Sequence, residues 1–184
     1  MTSEMTAERL RELYGNPSAA VEAKVIDYLD HNCREFIANS PFFILATSDG
    51  TRLDASPKGD PKGFVKVEDD RHLIVPDRAG NNRIDGLLNL IKHPQVGMVF
   101  LIPTVNETLR INGVASIIDD PKICARHALK GRVPLTVTRI QVEEVFIHCG
   151  VAPHKGGIWK PKTWPTKRPV ASLNEIFKAH SGME

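Results

Sequence analysis

The stretch from Leu73 to Pro94 constrains the fold more than any other part of the chain. It begins with an apolar, β-branched run typical of a buried strand, and Pro76 then removes a backbone donor and ends that strand. Gly80 tolerates a positive φ angle, and the two asparagines after it can cap a helix. The stretch therefore predicts a strand, a glycine turn and a helix from Asn82 to His93. The apolar face of this helix would be formed by Ile84, Leu87, Leu88 and Ile91.

The start of this predicted helix has the features of an anion site. Backbone N–H groups at a helix start have no intrahelical partner, and the helix dipole places positive charge there. Arg78 and Arg83 lie on either side of that start. A phosphate group would bind well to such a site, although two arginines at a solvated surface turn would give the same pattern.

Composition and charge exclude several classes of protein. The 184 residues carry a formal net charge of +2, which gives no reason to expect a nucleic acid partner. No apolar run approaches the roughly 18–20 residues needed to cross a bilayer, and the N-terminus lacks the layout of a signal peptide. We therefore expect a cytoplasmic location and no membrane partner. The three cysteines are not closely paired, so we expect reduced, mostly buried thiols rather than a disulfide framework.

Hairpin-like spacing dominates the rest of the chain. An amphipathic helix is predicted from Ser18 to Asn39, and Asp120 can start a short helix that runs to Leu129. Gly113 marks a bulge in a long strand. Because no repeated βαβ unit appears, the pattern favours a small closed antiparallel barrel over a doubly wound sheet. Strands are predicted in the segments 42–47, 52–58, 64–67, 73–75, 96–102, 108–118 and 135–149.

The C-terminal part of the chain has a different composition. It is rich in proline and cations, which suggests an extended wrap over a surface, and a short helix is predicted from Ser172 to His180. We expect one domain in three parts. These are an N-terminal helical segment packed on the barrel (1–40), the barrel (41–150) and the tail (151–184).

Three segments resemble the pyridoxamine-phosphate-oxidase-like flavoproteins, the FMN-binding split barrels. They are Leu53–Asp60, Val75–Arg83 and Glu107–Gly113. Together with the leading helix and the ending from His148 to Trp159, they are most similar to a bacterial subgroup of FMN-dependent enzymes whose chemistry is unknown. The resemblance extends roughly from Arg9 to Lys178. It implies a mainly β fold, an antiparallel Greek-key split barrel of six strands with an N-terminal helix and a short helix after the phosphate-binding turn.

The resemblance also implies the cofactor, its ligands and the assembly. The FMN phosphate would be held by Lys58, Arg78, Asn82 and Arg83. The ribityl chain and the isoalloxazine edge would be lined by Asp54, Ala55, Ser56, Pro76 and Asp77. Thr108 and Arg110 would approach from an opposite strand, and Trp159 completes the expected cofactor-binding set. The protein would be a homodimer with FMN at the interface, acting on a small-molecule substrate or reductant such as NADH or NADPH.

Several departures from the family pattern bear on the substrate. Leu53 and Thr108 stand where the vitamin B6 oxidase has an arginine and a glutamine. That enzyme's tyrosine, arginine and serine for the phosphate of pyridoxal phosphate find no convincing match as a set between Pro121 and Val133. We therefore expect a substrate other than pyridoxamine phosphate. Val151 and Lys155-Gly156 likewise replace a lysine and an arginine–serine pair of the closer subgroup.

Two hypotheses of function remain. The first is an FMN-dependent oxidoreductase, in which no catalytic side chain can be named because the flavin carries the redox chemistry. The second is a flavin- or haem-binding carrier, store or sensor without turnover, and binding residues alone do not separate the two.

Other classes of site have less support. His148, Cys149 and His154 lie close together in sequence but lack a further element that would complete four metal ligands. Cys149 is expected to be a buried thiol at a strand end rather than a nucleophile. The basic tail with its two tryptophans fits a cover over a dimer or a cofactor better than a strip for single-stranded nucleic acid.

Overall fold

The alternating and apolar runs between Phe42 and His148 form one antiparallel sheet in the computed structural model, which describes residues 5–182. The strands are β1 (Phe42–Ser48), β2 (Leu53–Gly59), β3 (Lys66–Val67), β4 (His72–Pro76), β5 (Gln95–Leu101), β6 (Thr108–Ile118) and β7 (Val137–His148). The helices are α1 (Ala7–Tyr14), α2 (Ala19–Ala23), α3 (His31–Asn39), α4 (Asp85–Lys92), α5 (Pro121–Ala125), α6 (Val151–Lys155) and α7 (Leu173–Ser181), with a 3-10 turn at Pro161–Thr163.

The order of strands across the sheet is β2-β1-β5-β6-β7-β4-β3. The chain passes from one edge of the sheet to the other between β2 and β3, and it returns between β4 and β5 through α4. This arrangement confirms the predicted mainly β, antiparallel split-barrel class. The sheet has seven strands rather than six because the two-residue β3 pairs with β4. Among residues 5–182, the edge strands β2 and β3 do not pair with each other, so the sheet is open and the prediction of a closed barrel is wrong.

Inward-facing side chains of the strands form the core. Phe43 on β1 and Phe100 on β5 are fully buried, and their ring centroids lie 4.9 Å apart. Helix α3 adds Cys33 and Ile37 to the same core, and Leu29, two residues before the helix, packs beside them. Burial raises the pKa of the Cys33 thiol to about 12. Helices α1 and α2 bury no residue.

Three local predictions differ from the structure. The helix predicted over 18–39 is broken, because Ile26 pairs with Val145 of β7 as an isolated bridge and the backbone there is no longer helical. Helix α5 ends at Ala125 rather than Leu129, since Leu129 turns back to pair with Arg132. Cys149 is exposed rather than buried, because β7 ends one residue before it.

Other local predictions are confirmed. The register of β6 against β7 shifts between Asn112 and Gly113, so the bulge is present. The C-terminal helix α7 begins after Ser172, whose hydroxyl accepts from the N–H of Glu175 while the Glu175 carboxylate accepts from the Ser172 N–H. No helix within residues 5–182 is long and apolar enough to cross a membrane.

Candidate functional site

A cavity of about 590 Å³ lies between β2, the loop from β4 to α4 and the segment 133–135. This volume is within the range of small-molecule sites, roughly 300–1,000 Å³. Asp54, Ser56 and Lys58 are half-buried, and the β2 residues between them are exposed. Because side chains alternate between the two faces of a strand, these three side chains share the face that lines the cavity. Pro57 is tolerated within β2 because β2 is an edge strand.

The loop 77–84 forms another wall of the cavity. Asn82 and Ile84 have φ angles of 60° and 44°, a left-handed conformation that is costly for a residue with a side chain. Ile84 is the residue before α4, so the helix begins at Asp85 and not at Asn82. The prediction that Arg83 lies in the first helical turn is therefore wrong. Arg83 lies in the loop, where its N–H donates to Asn81 Oδ1 at 3.1 Å.

Helix α4 also buries a different face from the predicted one. Leu90 is buried, whereas Ile84, Leu88 and Ile91 are exposed. The side chain of Asn89 donates to Thr47 Oγ1 at 3.0 Å, which holds the Asn89–Leu90 side of the helix against β1.

The start of α4 lines the cavity and carries free donors. Asp85, Gly86 and Leu87 belong to the lining, and no side chain within the described part of the chain caps this helix start. The N–H groups of the first helical turn lack intrahelical partners, so they remain available to an anionic ligand.

The cations of the cavity differ in their partners. Arg78 donates from Nε to Asp60 Oδ2 at 2.7 Å and from Nη1 to the carbonyl of His127 at 2.8 Å. Arg83 donates from Nε to Asp85 Oδ2 at 2.7 Å, and this hydrogen bond raises the pKa of Arg83. Lys58 forms no ion pair with any of residues 5–182. Lys58 and the outer N–H groups of Arg83 are therefore the cationic donors best placed to bind an anion. The hydrogen bonds of Arg78 instead link Asp60 to the carbonyl of His127.

Most of the predicted cofactor-binding residues line this one cavity: Asp54, Ala55, Ser56, Lys58, Pro76, Asp77, Arg78, Asn82 and Arg83. Thr108, Arg110 and Trp159 lie outside it. Thr108 is buried at the start of β6. The Arg110 guanidinium lies 5.0 Å from the ring centroid of Phe146, and Trp159 Nε1 donates to the carbonyl of Val105 at 2.8 Å.

Sequence reasoning missed the segment 133–135, which closes one side of the cavity. Val133 and Leu135 are 51% and 89% exposed. The N–H of Asp77 donates to the carbonyl of Thr136 at 3.0 Å, which continues the pairing of β4 with β7 and brings this segment beside the loop 77–84. No local pattern in the sequence links the two segments, because the contact depends on strand pairing.

The lining combines charged donors with an apolar wall. Apolar side chains come from β1, the connection between β2 and β3, β4 and the missed segment: Leu45, Phe64, Val75, Val133 and Leu135. Carboxylates and hydroxyls of β2 and the loop supply hydrogen-bonding groups. A cavity of this kind suits a ligand that carries an anionic group, hydroxyls and a flat apolar ring.

Comparison with known proteins agrees with this fold. HupZ from Group A Streptococcus is 21% identical, with 64% of this chain and 92% of HupZ covered at a TM-score of 0.51. A candidate pyridoxamine 5'-phosphate oxidase from Lactobacillus delbrueckii is 18% identical, with 66% of this chain and 95% of the other covered at a TM-score of 0.53. Identities this low show the fold alone. No curated protein matches the chain.

A match to a family model assigns the family, which the structural similarity alone does not. The model described as pyridoxamine 5'-phosphate oxidase matches residues 29–149, which is more than half of the 184 residues. The match spans α3, every strand of the sheet and the whole lining of the cavity. The chain therefore belongs to the pyridoxamine 5'-phosphate oxidase family.

Proposed function

We propose that this protein binds FMN and is an FMN-dependent oxidoreductase whose substrate is a small molecule other than pyridoxamine phosphate. The observation that carries the proposal is the meeting of β2 and the loop 77–84 around one cavity, with Lys58, Arg83 and the uncapped start of α4 in its lining. A phosphate is bound well by cationic side chains together with helix N–H groups. The apolar wall suits an isoalloxazine ring.

In this proposal the side chains bind and orient the cofactor. Lys58 and Arg83 bind the phosphate, and Asp54 and Ser56 on β2 hydrogen-bond the ribityl hydroxyls. Leu135 shields one side of the ring from water. The isoalloxazine supplies the redox chemistry when bound, so no side chain of the cavity has to act as an acid or a nucleophile.

We also propose that a second copy of the chain completes the site. Ile44, Val99, Arg110 and Phe146 are aligned across β1, β5, β6 and β7 on the outward face of the sheet. Ile44 is 38% exposed on this face. Thr108 is two residues from Arg110 on β6 and so shares its face. If this face packs against a second copy, Thr108 and Arg110 can approach the cofactor of the other subunit, although they lie outside the cavity of their own.

The dimer has a direct test in solution. Sedimentation of the FMN-loaded wild-type protein is expected to give a dimer at micromolar concentration. Ile44→Lys places a charge on the outward face, so it is expected to give a monomer with weakened FMN binding. Leu13→Lys, which changes an apolar residue of α1 that is 55% exposed, is the matched control and should remain dimeric. A wild-type monomer with FMN still tightly bound would show that no second copy is needed.

The absorption spectrum tests the function itself. We expect the purified protein, supplied with FMN and then desalted, to be yellow with the bands of bound flavin. Addition of NADH or NADPH without oxygen is expected to bleach those bands. A protein that stays colourless after incubation with FMN contradicts flavin binding. A yellow protein that neither nucleotide bleaches contradicts a nicotinamide-driven oxidoreductase and favours a flavin carrier or sensor.

A further inference from the structure

A second, smaller cavity of about 270 Å³ lies next to the proposed cofactor cavity. Phe64 and Arg78 line both cavities and so form their shared wall. The rest of the smaller cavity comes from the chain after β2 and from the turn after α5, at Asp60–Gly63, Lys66 and Arg126–Leu129. We call it the basic cavity.

The basic cavity has an excess of positive charge. Lys62, Lys66, Arg78 and Arg126 face a single carboxylate, that of Asp60, among the described lining residues. Asp60 already accepts from Arg78 Nε at 2.7 Å. Four cations and one carboxylate give a formal charge of +3, and Asp60 already forms an ion pair with one of the four, Arg78.

Two of these cations have no partner for their charge. The side chains of Lys62 and Arg126 make no hydrogen bond or ion pair with any of residues 5–182, whereas Lys66 Nζ donates to the carbonyl of Gly63 at 2.6 Å. Cationic groups gathered around one cavity repel one another, and an anion between them would remove that repulsion.

The side chain of His127 lies in the same positively charged environment. Its Nδ1 is buried and has no hydrogen-bond partner within residues 5–182, so no hydrogen bond at that atom fixes the orientation of the ring. Burial lowers the pKa of His127, and the charges of Lys66, Arg78 and Arg126 lower it further, while Glu68 acts in the opposite direction.

We propose that the basic cavity is a second anion site, which binds a phosphate group independently of the cofactor phosphate. A dianionic phosphate fits an excess of three positive charges better than a monocarboxylate does. The cavity of 270 Å³ corresponds to about nine water molecules of liquid volume. That is more than a bare phosphate ion needs, so a small phosphate monoester also fits.

The position of the site links it to the cofactor cavity. The Arg78 guanidinium bridges Asp60 and the carbonyl of His127, and the same side chain lines the cofactor cavity. If FMN binds in the larger cavity as proposed, a phosphate in the basic cavity would contact the same Arg78 side chain that lines the flavin site. The basic cavity is therefore a place where a phosphorylated ligand can lie next to the flavin without displacing it.

The test is a titration of FMN-saturated protein with inorganic phosphate at low ionic strength. The pKa of His127 is measured at each phosphate concentration from the NMR signals of the histidine rings. The His127 signal is assigned by its loss in His127→Gln. Negative charge stabilises the protonated imidazole, so we expect phosphate to raise the pKa of His127 in a saturable way. Acetate at matched ionic strength should produce little change. An equal response to both salts, or none to phosphate, would overturn the proposal without any variant.

Variants of the lining test whether phosphate binds in the basic cavity. The double variant Lys62→Gln, Arg126→Gln removes the two unpaired cations and is expected to weaken phosphate at least about tenfold, because each lost charge-assisted hydrogen bond is worth about that much. Lys122→Gln, on α5 but outside the lining, should bind phosphate like the wild type. Unchanged phosphate affinity in the double variant would place the ion elsewhere. A parallel titration with glycerol phosphate distinguishes a free phosphate ion from a phosphate monoester as the ligand. Tighter binding of glycerol phosphate than of inorganic phosphate indicates an ester.

Discussion

Arg83→Ala is expected to weaken FMN binding by about ten- to a hundredfold, while riboflavin, which lacks the phosphate, loses much less. Arg83 lies in the loop before α4, and its Nε is held by Asp85 at 2.7 Å. This ion pair aims the guanidinium while its outer N–H groups remain free to fork onto phosphate oxygens. Fluorescence titration of wild type and variant with both flavins measures the two losses directly.

The control for this prediction is another exposed arginine that lies outside the cavity. Arg52→Ala, in the turn between β1 and β2, changes the net charge by the same amount without touching the lining. It should alter the affinity for either flavin by less than about twofold. If Arg83→Ala behaves like Arg52→Ala, or if it weakens FMN and riboflavin equally, then Arg83 does not bind the phosphate.

Gly113→Ala is expected to lower the free energy of unfolding by about 3 kcal/mol or more. A Cβ atom at residue 113 would lie 2.1 Å from the carbonyl oxygen of Gln141 on β7. Backbone of a central strand cannot move away without breaking pairs of the β6–β7 ladder, so the strain is relieved only by distorting the sheet. Urea denaturation followed by circular dichroism gives the change in stability from the shift of the midpoint.

Gly59→Ala is the matched control, because residue 59 also lies in a strand but its Cβ would meet Phe42 Cδ2 and the carbonyl of Pro41 at 3.5 Å, which is ordinary contact. Its effect should stay within about 1 kcal/mol. A Gly113→Ala protein as stable as Gly59→Ala would mean that β6 and β7 do not approach each other this closely at the bulge.

Local patterns in the sequence were sufficient to predict most strands of the sheet. The apolar run 96–102 and the alternation with a glycine over 108–118 predict β5 and β6, and even the bulge at Gly113, because strand formation and bulges leave a signature within a few residues. The half-buried face of β2 is likewise a consequence of two-residue periodicity. The prediction of an anion site at the turn after β4 rests on Arg78, Arg83 and a nearby helix start, all within one short stretch.

Other features of the fold could not be predicted because they depend on how the chain packs in three dimensions. Helix α4 starts at Asp85 because Asn82 and Ile84 adopt left-handed angles, and it buries Leu90 because Asn89 reaches Thr47 on β1. The bridge between Ile26 and Val145 ends a helix whose apolar spacing continues past it.

The same holds for the partners of the charged groups. Asp60 and the carbonyl of His127 bind Arg78, and the pairing of β4 with β7 brings Leu135 to the cavity. Periodicity fixes which faces of an element are apolar, but the free energy that selects among those faces comes from packing and strand pairing across the whole chain. The strands and the candidate anion-binding turn could therefore be predicted from local sequence, whereas the cations of that turn that lack a protein partner are known only from the folded chain.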